Sequence, residues 1–143
     1  MAERLSGHCL CGQLNFSAVP ANMNMGVCHC TMCRRWSGGT FMAVQCTDVE
    51  MSGEDALSVY DSSEWGERIF CRHCGSNIMW RSKDGSHVAV SAQAFDAPDM
   101  FSFASEIFYD QKPSNYAFAN DTQKMTAAEV FALYADDQGS DNG

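Results

Sequence analysis

The stretch CHCTMCRR, residues 28–35, sets three cysteines and a histidine within six positions and follows them with two arginines. Three thiols this close are too many for one disulfide and one short of a closed tetrahedral zinc site. Where a fourth ligand could come from depends on the remaining cysteines. These are Cys9 and Cys11 in CLCG, Cys71 and Cys74 in CRHCG, and a lone Cys46.

In an extended strand the side-chain period is two, so Cys9 and Cys11 are expected to project to the same side and clamp one metal. Cys71 and Cys74 have the spacing of a zinc knuckle, and Gly75 supplies the backbone freedom a tight turn needs after its second ligand. Each pair is half a site. Together they make a Cys₄ set that would staple the start of the chain to its middle as a structural zinc site. Disulfides and a redox CxxC are the alternatives, the latter weakened by the lack of a βαβ pattern around it. With four thiols so used, Cys28, Cys30 and Cys33 are left with an open position, the arrangement of a catalytic zinc. Two zinc ions per chain follow. A competing closure would draw on His29, His73, His8 or Cys46, although His29 alternates with Cys28 and Cys30 and points away if that segment is extended. Cys46 follows the apolar run FMAVQ and reads as a buried small hydrophobe.

The chain of 143 residues, 45% hydrophobic with nine Phe, is long enough to bury a core. A single domain over 1–135 is expected, with 136–143 as an acidic flexible tail. Nine basic residues against eighteen acidic ones, a formal charge of −9, argue against nucleic acid as a partner. Five of the basic residues, Arg34, Arg35, Arg68, Arg72 and Arg81, fall near the cysteine motifs. They either gather round an anionic ligand, screen thiolate charge, or lie in solvent. The opening MAERLSGHCL holds no signal-peptide run and no segment approaches the roughly 18 apolar residues of a membrane span, so a cytoplasmic chain without a membrane partner is expected. In a reducing compartment, eight cysteines in tight groups point to metal before disulfides.

Alternation in QLNFSAV (13–19) and HVAVSA (87–92), with strand-like runs near 41–45, 57–60, 68–71, 78–81 and 101–108, predicts a mainly β body. One short C-terminal helix is expected over TAAEVFALYA, with Thr126 as N-cap and Glu129 as its capping-box partner. A further helical turn is expected from Cys33, ended by Gly38 and Gly39.

The order GHCLCG, CHCTMCRRWSGGTF, RIFCRHCGSNI resembles the glutathione-dependent formaldehyde-activating enzyme family, from Gly7 to Trp80, with all seven motif cysteines in place. Beyond Trp80 the resemblance thins to a general pattern of strands. It implies a small zinc-containing domain of the β-tent kind, with a structural zinc on Cys9, Cys11, Cys71 and Cys74 and a catalytic zinc on Cys28, Cys30 and Cys33. The activity it implies is the joining of formaldehyde and glutathione to give S-hydroxymethylglutathione, a carbon–sulfur lyase reaction read in reverse, with a small thiol and a small aldehyde as partners. A thiol entering an open zinc position loses its proton near neutral pH, after which addition to an aldehyde follows. The two carboxylates of glutathione need donors, and Arg34, Arg35 and Arg68 are the candidates. Trp36 and Phe41 either wall a pocket or belong to the core. Two other readings compete: a non-enzymatic zinc-binding module that meets a protein partner, and a methionine sulfoxide reductase with Cys46 as its attacking thiol.

Overall fold

The structure, a computed structural model, describes residues 3–142, with the backbone alone over 136–142. In chain order the strands are β1 (Leu5–His8), β2 (Asn15–Pro20), β3 (Asn24–Cys28), β4 (Phe41–Ser52), β5 (Leu57–Asp61), β6 (Gly66–Cys71), β7 (Asn77–Ser82), β8 (Val88–Ser91), β9 (Ser102–Ile107) and β10 (Gln123–Lys124). Two α-helices, α1 (Thr31–Ser37) and α2 (Ala127–Asn142), and four short 3-10 turns complete the described elements. The chain is therefore mainly β with a helix at its C-terminal end, as the alternating patterns predict. It clusters into two compact units, one holding the residues up to Met25 with Met42–Ser102, the other Gly26–Phe41 with the chain from Phe103 onward.

The first unit is built on antiparallel pairing, in the neighbour order β1, β2, β4, β8, β7, β6, β5. Strand β2 shows why the sheet forms: in NFSAVP every second residue, Phe16, Ala18 and Pro20, is buried while its neighbours are not. In β7 two consecutive residues, Ile78 and Met79, are both buried, so this strand is covered on both faces. Leu14, Val44, Ile69 and Val90 are fully shut off from solvent and join them in one cluster. Phe95 stands edge-on to Phe16 and to Phe101, with centroids 5.1 Å apart in each case. Cys46 is buried in this core, as its apolar context predicts, and burial pushes its thiol up to about 12.

In the second unit β9 lies beside β3, and β10 pairs with β9 in parallel, setting Lys124 opposite Glu106. Helix α1 begins two residues before the expected start. The reason is that the sulfur of Cys30 acts as N-cap, accepting the Cys33 backbone N–H at 3.3 Å, a role that Ser, Thr, Asp or Asn usually fills. Helix α2 starts on the expected capping box: Thr126 N–H donates to Glu129 Oε1 at 2.9 Å and Glu129 N–H to Thr126 Oγ1 at 3.2 Å. Its helical backbone runs on to Asn142, through the stretch read as a tail, and Gly143 lies outside the described residues.

One residue shows how tightly the first unit is closed. A Cβ on Gly7 would lie 2.4 Å from the backbone oxygen of Ala94 and 2.4 Å from the Phe16 ring. Neither the backbone nor a ring already wedged against Phe95 can give way cheaply. Gly7→Ala is expected to destabilise the fold by about 1–3 kcal/mol, read as a lower midpoint in urea unfolding at unchanged slope.

Candidate metal centres

The four thiols of the first unit meet where two turns face each other. Cys9 and Cys11 do not sit in an extended strand as the sequence suggested. Residues 9–12 form a turn closed by Gly12 N–H to Cys9 carbonyl at 3.1 Å, which leaves Leu10 85% exposed between its two cysteines. Such a turn brings the sulfurs to one side just as a strand would, and it lets Cys9 be held from both ends: its N–H donates to the Leu14 carbonyl at 2.9 Å, and the Leu14 N–H donates to its Sγ at 3.3 Å. The knuckle behaves as its spacing predicts. Gly75, at φ 77°, donates its N–H to the Cys71 carbonyl at 2.8 Å, in a conformation that glycine adopts without steric cost. All four sulfurs lie within 4.8 Å of one another, with Cys9–Cys11 at 3.5 Å and Cys11–Cys71 at 3.7 Å. A tetrahedron of thiolates at a zinc–sulfur distance of about 2.3 Å has edges of about 3.8 Å, so the cradle fits a metal of that size.

Ser76 joins the two turns, and the sequence reading missed it. Its hydroxyl accepts the Leu10 N–H at 3.0 Å and lies 3.2 Å from Cys74 Sγ. That hydrogen bond is the first of the causes holding the Cys74 thiol down at about 5. Burial raises the Cys9 thiol, but the Leu14 N–H and the neighbouring sulfurs outweigh it and leave Cys9 below its ordinary value. These two shifts favour the thiolate form that a metal requires, while at Cys11 the backbone bond with Gln13 is outweighed by burial and the neighbouring sulfurs, which push that thiol the other way, up to about 12.

The second unit gathers Cys28, Cys30 and Cys33, whose sulfurs also lie within 4.8 Å of one another. Cys28 ends β3, Cys30 caps α1 and Cys33 sits in its first turn. Among the described residues no fourth His, Cys, Asp or Glu joins this group. Thiols this crowded cannot ionise independently: the bond from Cys28 holds Cys30 down at about 2, while the same bond pushes Cys28 upward. The same contact favours the thiolate at Cys30 and the thiol at Cys28.

The other ligands considered from sequence are engaged elsewhere. His29 turns away from the sulfurs, with Nε2 2.8 Å from Glu106 Oε1 and Nδ1 2.7 Å from the Tyr116 hydroxyl. His73 meets Asp55 at 3.3 Å and His8 faces Asp96 at 3.6 Å. Of the arginines, Arg34 donates Nε to the His29 carbonyl at 3.0 Å and Arg35 is exposed in the last turn of α1. Arg68 is only 4% exposed on β6. Arg72 reaches the Leu57 carbonyl at 3.2 Å and Arg81 pairs with Glu67 at 2.7 Å. Trp36 stands edge-on to Phe41, itself buried, with centroids 5.3 Å apart.

Over residues 4–111 the chain matches the family described as glutathione-dependent formaldehyde-activating enzyme. The chain belongs to that family. An uncharacterized lyase of Schizosaccharomyces pombe is 33% identical over 126 residues, 87% of this chain and 92% of that protein. A Halomonas elongata protein provisionally named a glutathione-dependent formaldehyde-activating enzyme is 30% identical over 86 residues, 53% of this chain and 54% of its own length. A crystal structure of a Rhodobacter sphaeroides protein shares the fold with a TM-score of 0.57 at 21% identity, covering 64% of this chain and 88% of that one. Among the described residues of this family member no helix is long and apolar enough to cross a membrane.

Glu106 is the functional-site neighbour that no motif announced. It is 1% exposed, and besides His29 it receives the Thr122 hydroxyl on Oε2 at 2.5 Å and has Lys124 Nζ 3.8 Å away. Burial raises its carboxyl, but Thr122, His29 and Lys124 together bring it below its ordinary value of 4.5. A carboxyl depressed in the folded state contributes its full stabilisation above the unfolded value and loses it as pH falls through the folded one. Wild-type stability is therefore expected to drop more steeply below about pH 4.5 than that of Glu106→Gln, measured by urea unfolding across pH.

Proposed function

We propose that this chain is a zinc-dependent carbon–sulfur lyase-type enzyme that adds a thiol, glutathione or a similar one, to a small aldehyde such as formaldehyde, or cleaves the adduct. The observation that carries the reading is the contrast between the two sulfur groups: four thiols closed on themselves in one, three thiols in the other with no fourth ligand among the described residues. In this reading Cys9, Cys11, Cys71 and Cys74 hold a structural zinc, Cys28, Cys30 and Cys33 hold a catalytic one, and the fold is a zinc-containing β-tent. Membership of the family, a relative named as a lyase and another named for formaldehyde activation support the reaction class. All eight cysteines are free of disulfides, which suits a reducing, cytoplasmic setting.

A zinc bound by three thiolates would supply an electrophilic position that lowers the pKa of an entering thiol or polarises a carbonyl oxygen. The chain's own residues do the rest. Cys28, Cys30 and Cys33 would hold the ion as thiolates. Arg34 and Arg35, in the last turn of the helix that carries Cys33, are the cations proposed to meet an anionic thiol's carboxylates. Arg68, nearly closed to solvent, is the weakest of the three arginine candidates. Burial of Cys46 argues against the reductase reading, because a thiol pushed up to about 12 is a poor nucleophile near neutral pH.

Three measurements test this. Metal analysis is expected to find two zinc ions per chain, with mild chelation removing one together with the ability to speed S-hydroxymethylglutathione formation followed by NMR. Cys30→Ser is expected to stay folded, to hold one zinc and to lose at least about 100-fold in kcat/KM, since even residues behind a metal's ligands cost 10–100-fold when removed. Retention of both metals with no rate enhancement would instead favour the protein-binding module. In steady-state kinetics Arg35→Ala is expected to raise KM for glutathione by about 10-fold while leaving a neutral small thiol unaffected.

A further inference from the structure

His29 sits between two of the three proposed ligands, and its own surroundings are unusually complete. Its backbone N–H donates to the Ile107 carbonyl at 3.0 Å and its carbonyl accepts from Arg34 Nε at 3.0 Å. Its ring is fully buried, bonded through Nε2 to Glu106 and through Nδ1 to the Tyr116 hydroxyl, with Tyr109, Tyr116 and Phe118 packed within 6.2 Å of its centroid. Glu106 in turn has both carboxylate oxygens engaged, by His29 on one and Thr122 on the other.

Consecutive side chains of an extended segment point in opposite directions. A ring pinned to one side therefore drives the sulfurs before and after it to the other. We propose that Glu106, His29 and Tyr116 form a positioning relay that sets the spacing and direction of Cys28 and Cys30, so that the three-sulfur cradle is organised before any metal arrives. Stability alone does not account for it. A buried ionisable pair pays heavily for desolvation, and well-packed apolar residues hold a fold at least as well. What an apolar pair lacks is direction: hydrogen bonds at both ring nitrogens fix the rotation of the imidazole, and with it the backbone carrying the two ligands.

The inference deepens the reading of Cys28, Cys30 and Cys33 as a metal centre and rests on it. The test uses the zinc-loaded full chain, zinc release to a chromophoric chelator, and the Cys9–Cys11–Cys71–Cys74 group as an internal reference. Glu106→Ala is expected to release one zinc about 10–100-fold faster than wild type and the other at the wild-type rate. Glu106→Gln, which keeps an acceptor for His29, is expected to restore most of the retention. Tyr116→Phe, which removes only a hydroxyl from a half-exposed ring, is expected to speed release of the same zinc by about 2–10-fold. Unchanged release in Glu106→Ala overturns the relay, and so does a parallel speeding of both zincs, which would mark a merely structural role. Should Glu106→Ala not fold, Tyr116→Phe decides alone, with unchanged release counting against the proposal. Selective release without any thiol–aldehyde turnover in wild type would sink the proposed function and leave the relay standing, whereas a wild type that holds a single zinc would end both.

Discussion

Four sulfurs kept within 4.8 Å of one another, two of them almost cut off from solvent, are an expensive arrangement for a chain to hold. As thiolates they repel, and as thiols they are poor hydrogen-bonding partners that displace better-packing groups. A shared cation reverses both effects, because it is attracted to all four charges at once and turns mutual repulsion into a common bond. In the proposed reading that coupling of distant turns is what the first unit is organised around. Cys11 and Cys71 lie sixty positions apart in sequence, so joining them closes a long loop of chain. The strands between them then have little freedom in how they pair.

Backbone N–H groups are aimed at sulfur in both cysteine groups. Leu14 N–H on Cys9, Cys74 N–H on Cys71 and Cys33 N–H on Cys30 all direct backbone donors at sulfur. Each limits how far the sulfur can wander, and at Cys9 and Cys30 the bond also lowers the thiol. In α1 the same bond starts the helix. Sulfur placement and secondary structure are therefore one event at Cys30, which caps the helix and whose thiol is held down by its neighbours.

Much of this was legible in the sequence because the chemistry is local. The cysteine spacings, the Gly75 turn and the Thr126–Glu129 box each depend on residues a few positions apart, and the buried alternation of β2 follows from its pattern. Three features were not legible, each for a physical reason. Period-two geometry and a tight turn both bring Cys9 and Cys11 together, so the spacing alone cannot tell strand from turn. Propensity rules do not count cysteine as an N-cap, so α1 was started too late. Glu106 and Tyr116 owe their role to partners 77 and 87 residues away, which no local pattern encodes. One trace was present all the same. A lone carboxylate in SFASEIF, a strand otherwise made of small and apolar residues, either faces solvent or has a buried partner, and burial was the answer here.

The two sulfur groups solve the same electrostatic problem with different supports. In the four-sulfur group the sulfurs lie within 4.8 Å of one another, Ser76 and the Leu14 and Cys74 N–H groups reach them, and a shared cation would give every thiolate a counter-charge. A three-sulfur group lacks that closure, because a site with an exchangeable position cannot draw its rigidity from a fourth ligand. Rigidity must come from behind, and the groups behind it must not themselves reach the metal. A histidine committed at both ring nitrogens meets that requirement, since its ring no longer offers a free lone pair yet still anchors the backbone on either side. In the proposed reading, the buried carboxylate that commits it belongs with an open position in the same way as the lack of a fourth ligand among the described residues.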